Sequence, residues 1–214
     1  FDRMGTTDIM AAQVDYIKPF NDALKLSIGA KYSSADLDNN FQSFDETDNG
    51  TFVKNLQQSN QFLFQEDIYA GYGKLDWRCK KWAGTAGLRY EDSRSTGRSV
   101  QIDTILTRNI NQLFPSFSLS RELPKGLKLT GSYSYRIDRP RYSSLNPFRY
   151  YLDPFTFTAG NPTLRPSFTH SSKLSLSFQN QPFFNVEYKD TKDALVTVIE
   201  QNDEAGTTNQ IRTN

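Results

Sequence analysis

The sequence has 214 residues, a net charge of +1 and a mean hydropathy of −0.64. Its 25 basic residues are balanced by 24 acidic ones, so no basic surface for nucleic acid is expected. One cysteine excludes an internal disulfide, and one cysteine with one histidine excludes a zinc site built from these residue types. No apolar run approaches the roughly 18 residues of a transmembrane helix, and an aromatic content of 14% argues against a disordered chain.

Apolar and polar side chains alternate along about eight segments, which indicates strands with one apolar and one polar face. In chain order these segments lie at 10–16, 24–33, 67–73, 82–91, 116–120, 127–138, 173–179 and 184–189. Leu129 lies on the apolar side of the clearest segment, 127–138, and Thr130 on its polar side. In the weaker segment 67–73, we assign to the apolar side Ile68, Ala70 and Tyr72. No stretch keeps helical spacing, so an all-β fold is predicted.

The connections between these segments alternate between short and long. Short turns are predicted at 19–22, 78–81, 123–126 and 180–182, and long loops at 34–60, 92–112 and 139–167. This alternation is typical of an antiparallel up-and-down transmembrane β-barrel, which has short turns at one end and long loops at the other. Aromatic girdles fit the same interpretation, and the candidates are Trp77, Trp82, Tyr32, Tyr90, Tyr133 and Tyr135.

Two alternatives remain open at this point. A soluble all-β binding module, such as a lectin or adhesin, would show the same alternation with its apolar face turned inward. A small outer-membrane enzyme barrel would need a site assisted by His170, whose simpler interpretation is a polar residue at the start of a strand. The polar faces are rich in Ser, Thr and Gly, which suit the wall of a wide barrel better than a narrow lumen filled by side chains. We therefore predict that residues 1–214 are one domain, a section of a larger barrel.

The segment 139–166 holds five of the nine prolines together with many aromatic residues. Since proline fixes φ and lacks a donor, this segment is predicted to be a rigid, folded loop without strands. Its rings are the best ligand-binding candidates in the sequence, although the simpler interpretation is that they pack the loop against itself and the barrel rim. The candidate residues are Tyr142, Phe148, Arg149, Tyr150, Tyr151, Phe155 and Phe157. The nearby arginines could meet an anionic ligand or lipopolysaccharide phosphates, and they are Arg136, Arg139, Arg141 and Arg149.

Several motifs resemble the barrel region of TonB-dependent outer-membrane receptors. The strongest lies at 139–166 and reads RPRYSSLNPFRYYLDPFTFTAGNPTLRP, preceded by FPSFSLSREL at 114–123. Upstream, AAQVDYIKPF at 11–20 and the stretch from IYAGYG to AGLRYE at 68–91 are similar to the same family. The resemblance covers essentially the whole chain, and the pairing of NPF with GNP is its most specific part.

The resemblance implies a barrel of about 22 strands with a plugged lumen. It implies an outer-membrane receptor, not an enzyme, that takes up a nutrient or siderophore-like ligand. Its partners would be outer-membrane lipid and lipopolysaccharide, a plug domain, TonB and the ligand. Neither a plug nor a TonB-binding segment nor an N-terminal domain is recognisable within the 214 residues, so these are expected in other parts of a parent chain.

Two other features have simple interpretations. Cys79 lies in a basic turn that could activate its thiol, but incidental exposure is expected. Residues 45–50, DETDNG, resemble the start of a calcium-binding loop, but the twelfth position, where such a loop carries Glu, is Leu56. A solvated acidic loop without a metal is therefore predicted, and no cofactor is expected.

Overall fold

The computed structural model describes residues 2–151, 155–202 and 207–214, and for residues 3, 57, 150, 151 and 202 the backbone only. The described elements are β1 (Asp2–Asn21), β2 (Leu24–Glu46), β3 (Phe52–Cys79), β4 (Trp82–Ser99), β5 (Thr104–Glu122), β6 (Leu127–Asp138), α1 (Tyr142–Leu145), β7 (Arg149–Tyr151), β8 (Thr156–Ala159), β9 (Ser167–Phe178), β10 (Gln181–Lys192), β11 (Val196–Asn202) and β12 (Thr207–Thr213).

Eight of these strands form one antiparallel sheet in the order β1-β2-β3-β4-β5-β6-β9-β10. Sequential neighbours pair throughout, except that β6 pairs with β9 and residues 139–166 lie between them. Tight connections join the strands at one end, and the one between β9 and β10 has Gln179 and Asn180 at positive φ. Two central residues at positive φ give the turn a twist that matches the flanking strands, so two residues are enough to connect β9 and β10.

The four predicted short turns occur within one or two residues of the predicted positions, whereas two of the predicted long loops are wrong. β2 and β3 continue as a paired ribbon up to a turn at 47–51, and β4 and β5 do so up to residues 100–103. Side chains on both faces of these extensions are largely polar, so the alternation that marks a strand is missing there although the backbone pairing continues. The third predicted loop, 139–166, contains β7 and β8, which corrects the expectation that it holds no strand.

Cross-strand register places one apolar surface along the whole sheet, because directly opposed residues share a face. Ala86 lies between Leu75 and Phe117, and Leu129 opposes Leu176. Large side chains on this face remain open, as shown by Leu88 at 51% exposure. Others of this kind are Val14, Ile28, Tyr69, Tyr90, Leu113, Leu174, Phe184 and Val186. A soluble β-sandwich would bury this face, so that alternative finds no support in the fold.

The apolar face of β3 differs from the prediction. Tyr69, Gly71, Gly73 and Leu75 lie on it, whereas Ile68, Ala70 and Tyr72 lie on the polar face. The Tyr72 hydroxyl donates a hydrogen bond to Asp15 at 2.6 Å on that side. The sequence misled here because the two glycines carry no side chain to mark the apolar face, while aromatic residues occur on both faces.

Aromatic residues lie near both ends of the apolar surface. Trp77 and Trp82 flank the β3–β4 turn, and the Trp77 ring lies over Gly84, where a Cβ would overlap it. Towards the other end, Tyr32 and Tyr69 are 4.9 Å apart between ring centroids. From Tyr69 to Trp77 is nine residues, a length within the ~9–11 residues of a membrane-spanning strand. Within the described residues, no helix is long and apolar enough to cross a membrane.

Candidate functional site

The described parts of the segment 139–166, namely residues 139–151 and 155–166 and here called the folded loop, lie against the polar face of the extended β2–β3 and β4–β5 ribbons. Its apolar contacts are made with β3, since Phe62, Phe64, Leu145 and Leu164 form one buried cluster with exposures of 3%, 6%, 3% and 0%. The Tyr142 ring packs on Phe64 with 4.6 Å between centroids. The main apolar core among the described residues therefore forms between this loop and β3. It keeps the loop over the polar face of the sheet.

The NPF and GNP motifs form the internal frame of the folded loop. The Gly160 amide donates to the carbonyl oxygen of Asn146 at 2.8 Å, and the Asn161 amide donates to that of Ser144 at 2.7 Å. A Cβ on Gly160 would overlap the Asn146 carbonyl, so only glycine allows this approach. Asn161 also accepts from the Thr163 amide at 2.9 Å, which closes the turn at Pro162.

A buried polar chain ties this frame to the sheet. The Asn146 side-chain oxygen accepts from the Phe148 amide at 3.1 Å and from the Asn60 amide group at 3.2 Å. The Asn60 oxygen in turn accepts from the Ser99 hydroxyl at 2.9 Å. Asn146, Asn60 and Ser99 are at most 2% exposed. Because buried polar groups are costly unless paired, this chain fixes the loop's position.

An ion-pair network lies at the base of the folded loop. Arg139, its first residue, places Nη2 2.7 Å from Glu91 Oε2 and Nε 3.5 Å from Glu66 Oε1. Arg89 contacts the other Glu91 oxygen at 2.5 Å. Burial raises the pKa of Glu66, and the charges of Arg139 and Arg108 oppose that rise. Burial likewise raises the pKa of the Tyr142 phenol.

The last strands of the chain hold the folded loop from its other side. β11 and β12 pair in antiparallel fashion, and β12 pairs in parallel with β8, which gives a second sheet in the order β11-β12-β8-β7. Arg212 Nη1 donates to the Ser144 hydroxyl at 3.1 Å. Asn214 donates to the carbonyl oxygens of Arg165 and Asp193, at 3.0 and 2.7 Å. The loop is therefore fastened on two sides.

The ligand candidates of the sequence analysis fall into distinct environments. Phe148 and Phe157 are each 8% exposed, and the Arg149 guanidinium lies 4.8 Å from the Phe157 ring centroid. Tyr142 is half-buried against Phe64, whereas Phe155 is 65% exposed. The side chains of Tyr150 and Tyr151 lie outside the described residues, and their backbones belong to β7. Most described rings of the set thus help to pack the loop.

Other residues that the sequence analysis singled out are also placed. His170 lies within β9, where it stacks on Tyr135 at 4.2 Å and contacts the Tyr133 hydroxyl at 2.8 Å through Nδ1. Cys79 is exposed and unpaired. Among the described residues, no group of acidic, His or Cys side chains is arranged to hold a metal ion, and this includes the 45–50 segment.

Sequence reasoning missed the partners of the folded loop on the sheet. Glu66, Glu91, Asn60 and Ser99 lie in stretches taken as loop or as ordinary polar strand positions. Only the spacing of Arg89 and Glu91, two residues apart on one strand face, offered a local signal. The others meet the loop through contacts between residues far apart in the chain, such as the 86 positions between Asn60 and Asn146.

Residues 2–214 match the outer membrane protein beta-barrel family. The chain belongs to this family. It is therefore an outer-membrane protein, and the predicted family, fold class and location are confirmed. The apolar face of the sheet accordingly meets lipid, and the polar face lines the inside of the barrel.

Solved structures share the fold at low sequence identity. The copper transporter OprC aligns with a TM-score of 0.65 and 13% identity over 99% of this chain. The ferric citrate transporter FecA, in its unliganded form, aligns with a TM-score of 0.59 and 12% identity over 98% of this chain. A double mutant of the Serratia marcescens hemophore receptor HasR, in complex with the hemophore HasA and heme, aligns with a TM-score of 0.56 and 14% identity over 98% of this chain.

These neighbours are longer than the chain, which spans 34%, 31% and 44% of OprC, FecA and HasR. They are transporters and a receptor, not enzymes. A comparison with curated protein sequences found no match.

Proposed function

We propose that this chain is part of the barrel of a TonB-dependent receptor that takes up a nutrient or siderophore-like ligand. The observation that carries the proposal is the folded loop, which is fastened over the polar face, the side that lines the barrel interior. The similarity of fold to a copper transporter, a ferric citrate transporter and a hemophore receptor supports it. No catalytic role is proposed.

The partners follow from the size of such a barrel. An outer-membrane transporter of about 22 strands encloses a lumen that a plug fills. The polar face described above would line that lumen. A plug domain elsewhere in the parent protein would fill it, and TonB would act from the inner membrane. Lipid and lipopolysaccharide would surround the apolar face.

Ligand contact is proposed for the open side of the folded loop. Phe155 and Arg149 are exposed there, and Tyr150 and Tyr151 remain candidates from the sequence. Tyr142, Phe148 and Phe157 would act indirectly, by holding the loop in shape. An aromatic and cationic rim of this kind suits stacking and charge-assisted contacts with a ligand.

The test uses the complete protein in its own cells. Strains with the gene deleted, restored, or restored without TonB are supplied with ferric citrate, heme or Cu²⁺ as the limiting nutrient, and uptake is measured. We expect uptake of one such nutrient class to need both the receptor and TonB. Uptake that persists without TonB, or that is equal in all strains for every nutrient class, would contradict the proposal.

A further inference from the structure

Three basic residues on neighbouring strands share the polar face below the folded loop. They are Arg136 of β6, Lys173 of β9 and Lys189 of β10, here called the basic patch. The register places Arg136 opposite Thr169, and Lys189 opposite Ser171. Lys173 lies opposite Ser132 on one side and Glu187 on the other. The three cations therefore point towards the same side of the sheet, within the width of three strands.

The basic patch carries more positive charge than its surroundings neutralise. Lys189 pairs with Glu187 at 3.2 Å, and Glu187 also accepts from the Ser171 hydroxyl at 3.0 Å. Within the part of the chain that the structure describes, Arg136 and Lys173 form no ion pair, and Asp138, farther along this face, does not line the same cavity. Three cations against one carboxylate leave a local surplus of two positive charges.

The neighbouring wall provides the contrast. There Lys25 and Lys74 share Asp76 at 3.6 and 3.2 Å, and Arg89 and Arg139 share Glu91. On that wall the carboxylates of Asp76 and Glu91 each lie between two cations, whereas Lys31 forms no ion pair among the described residues. The wall around the basic patch instead carries small hydroxyl residues, so two of its three cations have no carboxylate partner among the described residues.

The space in front of the basic patch is an open cavity of about 410 Å³. Hydroxyl groups line it beside the cations, among them Ser132, Ser134, Thr169 and Ser171. Such a volume lies in the range of small-molecule sites, roughly 300–1,000 Å³. Ammonium, guanidinium and hydroxyl groups together supply donors for several oxygen atoms, and charge assistance makes bonds to carboxylate or phosphate the strongest of these.

We propose that this cavity is a binding site for an anionic, oxygen-rich ligand bearing carboxylate or phosphate groups. Arg136 lies three residues before the folded loop, so the site lies below the loop on the same face of the sheet. Its use during uptake rests on the proposed function, but binding of an anion does not. Because the basic patch spans three strands, about 10 Å at the usual strand spacing, a ligand with more than one anionic group fits it best.

The experiment measures charge and access at the cavity in the complete protein. Ser134 is replaced by cysteine in a C79S background, and its labelling rates with an anionic and a cationic methanethiosulfonate reagent of similar size are compared. S27C, on the wall with paired charges, is the matched control. Labelling of S134C is repeated with citrate present and in the K173Q/K189Q variant, with K173R/K189R as the charge-preserving control.

We expect S134C to react about tenfold faster with the anionic reagent than with the cationic one, because a positive potential concentrates anions. Citrate should slow that reaction in the parent and in K173R/K189R, and K173Q/K189Q should lose both the preference and the protection. The proposal would be overturned if the ratio of anionic to cationic labelling rates were the same at S134C and S27C, or if citrate gave no protection. So would a cysteine that reacts only after unfolding, since another part of the protein would then cover the wall. None of these readouts needs transport, so a failed uptake assay leaves them independent.

Discussion

At Gly160 the folded loop approaches its own backbone closely. Its amide donates to Asn146, and a Cβ at this position would overlap the acceptor carbonyl. Gly71, by contrast, has open space where a Cβ would lie. The two glycines therefore occupy opposite steric environments within one chain, which makes them a matched pair for substitution.

Gly160→Ala should weaken the folded loop by about 1–3 kcal/mol, the usual cost of forcing extra atoms into a packed site. Hydrogen exchange of the Gly160 and Asn161 amides, followed by mass spectrometry, would show the loss of protection. Gly71→Ala should leave that exchange unchanged. Equal exchange in both variants would mean that the NPF–GNP contact does not hold the loop.

Glu66 makes the loop base sensitive to pH. Because burial raises its pKa in the folded protein, the folded state holds the proton more tightly than the unfolded state does. Its contribution to stability is therefore most favourable at low pH and falls as pH rises from the unfolded value of about 4.3 towards the raised pKa.

Glu66→Gln removes this titration. Measured by chemical unfolding in detergent, the stability of the variant relative to the parent should increase as pH rises through that window and level off above it. A difference that is constant with pH, or that changes in the opposite direction, would show that Glu66 is not protonated more readily in the fold. Taking the difference between variants cancels the titration of Glu91 and other carboxylates to first order.

At the scale of elements, Arg139 ties the start of the folded loop to β3 and β4 through the carboxylates of Glu66 and Glu91. Its side chain is 23% exposed, and that of Glu91 is 8% exposed. Removing one partner of a buried ion pair is strongly destabilising because the other charge is left without compensation. Arg94, whose side chain is 68% exposed beside Asp92, makes a pair of the ordinary surface kind.

Arg139→Gln should accordingly destabilise the protein by about 3 kcal/mol and expose residues 139–166 to protease before the strands unfold. Arg94→Gln should change stability by less than about 1 kcal/mol. The measurement is the unfolding midpoint together with the rate of limited proteolysis. If both arginine variants behaved alike, the network would have no special part in holding the loop.

The strands also show how far the sequence predicts this fold. Segments such as 127–138 and 82–91 were predicted with correct faces because each combines a lipid-facing and a lumen-facing series. The extensions of β2 to β5 were missed because polar side chains predominate there and the scattered apolar ones, such as Phe62 and Phe64, do not alternate regularly along one outer face. The apolar face of β3 was missed because Gly71 and Gly73 carry no side chain to mark it. The antiparallel pair of β11 and β12 gave no signal beyond an apolar run, since its pairing with β8 depends on the folded loop.

At the scale of the whole molecule, the two faces of the sheet have different tasks. The apolar face carries exposed side chains such as Val186 at 52% and Leu174 at 47%, which lipid would cover. The polar face carries ion pairs, hydroxyl groups and the folded loop. The mean hydropathy of −0.64 averages over these two faces and over long ribbons beyond the membrane. This low average therefore gives no sign of the apolar face that meets lipid.

Spin-label scanning along β6 tests this central claim most directly. In a C79S background of the complete protein in lipid bilayers, a nitroxide is attached in turn at residues 127–134, and its collisions with oxygen and with a water-soluble nickel chelate are measured. The account predicts alternation, with oxygen dominating at Leu129, Gly131 and Tyr133 and the nickel chelate at Thr130, Ser132 and Ser134. Loss of the alternation, or its reversal with Thr130 in lipid, would contradict the account.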